Sequence, residues 1–355
     1  MREDFITQAN NWRNEYLLKT EELFVANKSR WFADFYDHFR DICAKLRKMQ
    51  DELVLPAISY LEYTMLYNNF INRHYVSEIF VYNDKSYLDK NHQFIGEYDI
   101  SFLFVYFDEM WDKLLSGRKC YVGKVTAQEI TTFMLRTLSD FYSYFTNIIR
   151  FTILSIIDES SLANINKNEK FMVNVGDYMA KTEAVFVEQK VKDAKKLNDL
   201  FSKQPYSQYI FGDYSRLDFS GKVLSDMDFR FARFSSSTLI NTSFEGSSLI
   251  GANFRNADME RCRLDYCTIQ EADFSNASLK NASFRNARTK LGLMNEKAWE
   301  FVGFLPTNFR NADLTGADFT GANLDGADFT NAVLTGVDFT DTILDNAIFD
   351  ETKRC

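Results

Sequence analysis

Histidine is scarce in this 355-residue chain: there are His38, His74 and His92, and none stands in HExxH or any other metal-ligand spacing. The patterns GxxxxGKS/T, GxGxxG and GxSxG are missing as well. No phosphate loop, dinucleotide loop or nucleophile elbow is therefore written in the chain. Five cysteines, at 43, 120, 262, 267 and 355, make no CxxC and no regular framework; they read as reduced thiols in a cytoplasm. Positive charge is in short supply. The 41 Lys and Arg face 50 Asp and Glu, for a net charge of -9. That excludes a general nucleic-acid binder, because phosphate contacts come mainly from Lys and Arg. The start, MREDFITQANNW, lacks the apolar core of a secretory signal. The most apolar window, Phe141 to Ile157, is interrupted by Arg150 and falls short of the ~20 apolar residues of a spanning helix. No membrane, cofactor or metal is expected, and a non-enzymatic role follows.

What is present divides into two halves. Apolar residues at 46% and charged residues at 26% describe a chain that can bury a core. Sixteen of 18 tyrosines precede residue 213, and nine of 14 glycines follow residue 220, which places a domain break near residue 205.

Before the break the period is helical. Phe32, Phe35, Phe39, Ile42, Leu46, Met49 and Leu53 alternate spacings of three and four, one apolar seam that ends at Pro56. The seam is expected to pack inside its own domain. His38, on its polar side, is expected to be a solvated surface residue. Thr126 with Glu129 is a capping box and opens a buried helix to about residue 157. Further helices are expected over about 4–26, 57–73, 98–116 and 177–203. The β-like run Glu78 to Tyr82 is expected to make a small hairpin with Tyr87. Residues 1–204 are thus read as an α-helical domain.

After the break the period is five. Large apolar residues recur from Phe219 to Phe284 and again from Phe309 to Phe349. A small residue sits two positions earlier, as in Ala252, Ala257, Ala312 and Ala317, with Asp, Asn or Ser between. Residues two apart on an extended segment point the same way, so the small and large residues face inward and the polar one outward. The remaining two turn a corner, where Gly and Asn tolerate φ > 0. Four such edges close a square coil, and stacked coils pair at about 4.8 Å per layer. From Phe309 on, Phe and Leu alternate; a four-edged coil then stacks Phe319 on Phe339 and Leu324 on Leu344. Earlier coils break this rule. Cys262 and Cys267 fill consecutive small inward slots and read as ordinary small hydrophobes.

The run ADLTG ADFTG ANLDG ADFTN at 312–331 resembles the pentapeptide-repeat family, whose pattern is Ala-Asp/Asn-Leu/Phe-Ser/Thr-X. The resemblance covers about 213–350. It implies a right-handed quadrilateral β-helix and, through the family's many unrelated roles, leaves function open. Residues 219–350 are assigned to the β-helix, 205–218 to a linker and N-terminal cap built on Tyr206, Tyr209, Phe211 and Tyr214, and 351–355 to a tail.

Three surfaces of the β-helix stand out. The segment 289–306 interrupts the repeat; Lys297 would fall in an inward slot, and Leu291, Met294, Ala298, Phe301 and Leu305 follow a helical spacing. A short helix leaving one corner is expected, with Met294, Trp299 and Phe301 as a candidate partner loop. Eight Asp and no Lys, Arg or Glu lie between Asn311 and Asp350. Asp318 and Asp338 share an outward slot one coil apart, as do Asp325 and Asp345. Repulsion in such a pair is roughly 1 kcal/mol in water, less than the ~1.5–3 kcal/mol from burying one Phe. The fold therefore tolerates this acidity without a function. The resemblance nevertheless implies a DNA-like acidic rod of the kind family members present to DNA gyrase, against which stand Arg230, Arg233, Arg255, Arg261, Arg263 and Arg285. Finally, Val333, Ile343 and Ile348 replace the outward Asp or Asn near the terminus, beside Phe349. They are expected to form a homodimer interface at the C-terminal coil. The leading reading is a bacterial, cytoplasmic protein–protein interaction or scaffold protein. The alternatives are a DNA mimic that binds gyrase, and an enzyme or effector activity seated in residues 1–204.

Overall fold

The structure is a computed structural model that describes residues 2–83, 92–121, 123–156, 160–178, 182–189, 209–289 and 305–350. The chain divides into two compact units, Met1–Lys190 and Val191–Cys355.

The first unit begins with one uninterrupted helix, α1, over Arg2–Asp51, which joins the expected helix at 4–26 to the seam. Phe35, Phe39, Ile42 and Leu46 of the seam are buried, whereas Leu53 lies beyond the helix, 92% exposed at φ 58°. Phe35 shows where the seam goes. Its ring lies 5.5 Å from Tyr63, 5.4 Å from Tyr98 and 5.9 Å from Phe145, so it packs within the unit. The capping box forms as the sequence predicts: the Glu129 amide donates to Thr126 Oγ1 at 3.1 Å and the Thr126 amide to Glu129 Oε2 at 2.8 Å. It opens α4, Ala127–Ile156, whose Met134, Leu138, Phe141, Phe145, Ile148 and Ile149 are fully buried. Between them runs α3, Val105–Gly117.

The helices are not the whole of the unit. A five-stranded sheet accompanies them, built from β1 (Ile58–Met65), β2 (Val76–Tyr82), β3 (Gln93–Asp99), β4 (Lys167–Asp177) and β5 (Thr182–Gln189) in the order β3-β2-β1-β4-β5. β1 and β4 pair in parallel; the other neighbours are antiparallel. This corrects two expected helices. The stretch 57–73 holds β1 and then only the short helix α2, Tyr67–Ile71. Of 177–203, the described part carries the end of β4 and all of β5. The causes differ. β1 is covered on both faces, so no inside–outside alternation marks it, and periodicity alone cannot separate such a run from a buried helix. β5 is an edge strand, Thr182–Gln189, and stands beside a charged run with helical spacing. The Glu78–Tyr82 hairpin is present, but its partner strand is Gln93–Asp99; Tyr87 lies outside the described residues.

His38 is also corrected. It is half-buried, with its ring 4.4 Å from Tyr98 and 5.6 Å from Phe35. Burial lowers its pKa to about 4. The helix turn that carries Phe35 into the core brings His38 to the rim of the same aromatic cluster.

The second unit is a β-helix. Parallel bridges recur every five residues and join residues 20 apart, as in Asp213↔Arg233, Asp218↔Thr238, Val223↔Ser243 and Asp228↔Ser248. Each coil therefore takes 20 residues and four bridges. Corners close with a hydrogen bond from residue i+3 to i, as Ala252 N to Leu249 O at 3.0 Å, and the residue before the donor has positive φ, as Gly251 at 62°. Asn and Gly fill most of these corners because they tolerate that conformation. The core is one column of inward side chains. It starts within the segment expected to be a cap, 205–218: Tyr209 and Tyr214 continue the five-residue series, are 3% and 4% exposed, and pack on Phe229 and Phe234. Tyr206 lies outside the described residues. One Phe stack, Phe234, Phe254, Phe274, Phe309, Phe329 and Phe349, spans the regular and the irregular coils alike. Its neighbouring rings lie 5.0–5.1 Å apart with planes within 6°. The predicted Phe319–Phe339 stack is there at 5.5 Å.

Candidate interaction surface of the β-helix

The last described coil differs from those before it in its backbone. In earlier coils the large inward residue and the corner residue each donate an N–H to the following coil, as Leu314 to Val333 O, Gly316 to Thr335 O, Phe319 to Asp338 O and Gly326 to Asp345 O. The N–H groups of Leu334, Gly336, Phe339, Asp341, Leu344 and Asn346 have no such partner among the described residues. The carbonyls of Val337, Thr342 and Ala347, whose counterparts Ala317, Ala322 and Ala327 each accept a bond, are likewise open. Leu334, Val337, Phe339, Leu344 and Phe349 are only partly buried. Around this edge Val333, Ile343 and Ile348 point outward, 43%, 48% and 47% exposed. An open β edge with an apolar rim is a template for pairing with another chain.

The acidic residues have a structural employment that composition does not reveal. Asp313, Asp318, Asp328 and Asp338 each accept, through Oδ1, the amide and the hydroxyl of the Thr two residues on; at Asp318 the two distances are 2.9 and 2.6 Å. The Asp-x-Thr of the repeat is thus a lock on the corner. Three of these carboxylates also meet a cation: Asp313 with Lys280, Asp318 with Arg285 and Asp328 with Arg310. Burial would raise the pKa of Asp318, but the Thr320 hydroxyl and amide and the Arg285 guanidinium outweigh it and hold it below the ordinary value. Arg263 bridges to Glu245 and reaches Asp265 in the same way. Asp325, Asp338, Asp341 and Asp345 have no cation within 4.0 Å among the described residues. Four carboxylates without a cation thus lie in the coils beside the open edge, and Asp218, Asp226, Asp258 and Asp273 of the earlier coils likewise have no cation within 4.0 Å among the described residues. Sequence spacing located Asp318/Asp338 and Asp325/Asp345 in shared columns, and Asp318↔Asp338 is a bridge. It missed the Arg and Lys partners one coil away, two of which, Lys280 with Asp313 and Arg285 with Asp318, lie across the interruption, where the ladder steps by 35.

At the interruption the ladder steps from Asp273 to Asn308, 35 positions on, and returns to steps of 20 at Asn308↔Asp328. Two buried threonines fasten the points of departure and return. Thr289 Oγ1 donates to Asn323 O at 3.0 Å, and Thr307 Oγ1 to Ile269 O at 2.8 Å. Met294, Trp299 and Phe301 lie outside the described residues. Cys262 and Cys267 are buried inward-facing thiols; Cys267 donates to Phe244 O at 3.0 Å, and burial pushes its pKa up to about 12. Among the described residues no group of three or more His, Cys, Asp or Glu is placed to hold a metal, and no helix is long and apolar enough to cross a membrane.

The five-residue bridge spacing, the inward small and large slots and the Asp-locked corners define a parallel β-helix of pentapeptide units. Residues 228–265, 259–288 and 312–351 match the Pentapeptide repeats family, in eight copies. The C-terminal region of the chain belongs to that family. Solved structures that it resembles include a pentapeptide repeat protein from the Arabidopsis thaliana thylakoid lumen, 24% identical, covering 33% of this chain and 71% of that one with a TM-score of 0.27. HetL of Nostoc sp. strain PCC 7120, a pentapeptide repeat protein involved in heterocyst differentiation regulation, is 18% identical, over 45% of this chain and 98% of that one, TM-score 0.17. QnrB1, a plasmid-mediated fluoroquinolone resistance protein, is 17% identical, over 40% and 95%, TM-score 0.18. No curated protein sequence matches the chain.

Proposed function

We propose that this is a non-enzymatic, cytoplasmic bacterial protein–protein interaction protein whose right-handed, quadrilateral β-helix pairs with a second copy through its C-terminal coil. The observation that carries the reading is the coincidence of open backbone N–H groups at Leu334, Phe339 and Leu344 with outward Val333, Ile343 and Ile348 on one coil. A two-fold axis at this end covers both open edges and both apolar rims at once. Light scattering tests it. The full-length protein is expected to be a dimer at tens of micromolar, and an Ile343→Asp, Ile348→Asp variant a monomer with unchanged far-UV circular dichroism. A monomeric wild type ends the proposal. In this reading Met294, Trp299 and Phe301, which lie between Thr289 and Thr307 in the chain, contact a further protein partner.

A second reading has its own support in the uncompensated Asp325, Asp338, Asp341 and Asp345: a DNA-mimicking protein that binds a topoisomerase such as DNA gyrase. Its test is protection of gyrase supercoiling from a quinolone. Loss of protection in Asp338→Asn, Asp345→Asn would support it; no protection by the wild type would sink it. Cation pairing of Asp313, Asp318 and Asp328 makes the acidic zone short, which favours the first reading.

A further inference from the structure

The first unit holds a feature that the β-helix reading does not use. Two cavities lie on either side of one ridge of α4. The first, about 300 Å³, is lined by Phe5, Ile6 and Ala9 of α1, Leu114 of α3, Val125, and Ile130 and Phe133 of α4, with Glu129, Thr132 and Arg136 among its polar lining. The second, about 450 Å³, is lined by Met65, Tyr67, Leu135, Ser139 and Asp177, and again by Thr132 and Arg136. Helical spacing explains the sharing. Residues 129, 132, 133 and 136 make one stripe, and 132, 135, 136 and 139 the stripe beside it. The first chamber is mostly hydrocarbon with Glu129 at one side, the second carries Tyr67, Ser139 and Asp177, and Thr132 and Arg136 belong to both.

The charges divide unevenly. The Glu129 carboxylate accepts the Thr126 amide at 2.8 Å and the Thr126 hydroxyl at 3.1 Å. Asp177 Oδ2 accepts the Tyr67 hydroxyl at 3.0 Å. Arg136 makes neither an ion pair nor a hydrogen bond with the described residues. A guanidinium with no ion pair among the described residues, lining a largely apolar pocket, is suited to one kind of guest, since Arg offers a planar fork of donors matched to a carboxylate. A chamber of this volume lies at the lower end of those that hold small molecules.

We propose that the first unit binds an apolar carboxylic acid of small to medium size, its hydrocarbon body in the chamber walled by Phe5, Ile6, Ala9, Leu114 and Phe133 and its carboxylate on Arg136. Ser139 supplies a hydroxyl on the same helix stripe as Arg136, while the Thr132 hydroxyl donates to the Gln128 carbonyl at 2.9 Å. The site does not depend on the C-terminal coil, so it stands or falls separately from dimer formation.

Isothermal titration calorimetry of the full-length protein with decanoate tests it, with decanol as the uncharged control. Wild type is expected to take up decanoate saturably, roughly tenfold or more tightly than decanol, the factor one charge-assisted contact supplies. Arg136→Gln is expected to abolish that preference while leaving decanol binding as it was; Arg136 is exposed, so the variant should fold. Ile6→Glu, at a position 49% exposed, is expected to weaken both ligands by placing a carboxylate at the apolar mouth. No saturable heat with wild type at millimolar decanoate overturns the proposal. So does equal binding of decanoate by wild type and Arg136→Gln.

Discussion

The two units of this chain solve the same packing problem under different constraints. In the β-helix, a residue's surroundings follow from its place in a five-residue count. Phe254, Phe274 and Phe309 sit in near-identical stacks because each occupies the same slot one coil on. In the first unit no such count exists. Phe35 meets Tyr63 from β1, Tyr98 from β3 and Phe145 from α4, partners 28 to 110 positions away in the chain. The contrast shows that local repetition makes contacts legible, whereas a mixed sheet and helix core is assembled from segments that announce themselves separately.

The comparison is sharpest where the repeat itself ends. Phe274→Ala, in mid-stack, is expected to cost about 3–5 kcal/mol, the usual loss for a buried Phe. Phe349→Ala, in the same column but half open, is expected to cost well under half as much in the monomer. Urea unfolding of both variants measures the difference. Equal losses would mean that the last coil is covered in solution, as a dimer requires, so the pair should be measured below and above the dissociation concentration.

His38 tests the first unit. Its folded pKa of about 4 lies below the usual 6.5, so the unfolded chain binds the proton more readily. Stability is therefore full above about pH 6.5 and falls as pH drops from there toward 4. The loss is on the order of 2 kcal/mol after allowance for partial exposure. A His38→Phe variant should lose that slope. An unchanged pH profile would place the imidazole in water, where the polar side of the seam predicts it.

The smallest expected effect concerns the corners. Asp328→Ala removes the acceptor for Thr330 and the partner of Arg310 and should cost about 1–2 kcal/mol. Asp328→Asn, which keeps an acceptor oxygen, should cost less. If both cost nothing in thermal melts, the Asp column is surface acidity rather than a lock.

How much was legible follows from these particulars. The β-helix slots, the Phe319–Phe339 stack and the shared column of Asp318 and Asp338 could be read directly, because one period governs them all. The capping box at Thr126 was legible for the same reason: its two partners are three residues apart. β1 and β5 were not. Ile58–Met65 is buried at nearly every position, its polar Ser59, Glu62 and Thr64 included, so no inside–outside alternation marks it as a strand. Thr182–Gln189 stands next to a charged, helix-like run that dominates its window. Of the candidate surface, Val333, Ile343 and Ile348 were found from the slot they break. The open N–H groups beside them carry no letter in the sequence.

By itself, then, the sequence determined the coil, its inward and outward residues and the place where the repeat is interrupted, because a short-range period dictates backbone direction every five residues. Tertiary structure alone decided which carboxylates are neutralised, since Asp318 and Arg285 meet only after a full coil and the interruption have been counted out. It also decided that the first unit is built on a sheet, and that Arg136 stands between two chambers. Those outcomes depend on which distant segments come to share one space, and no period records that.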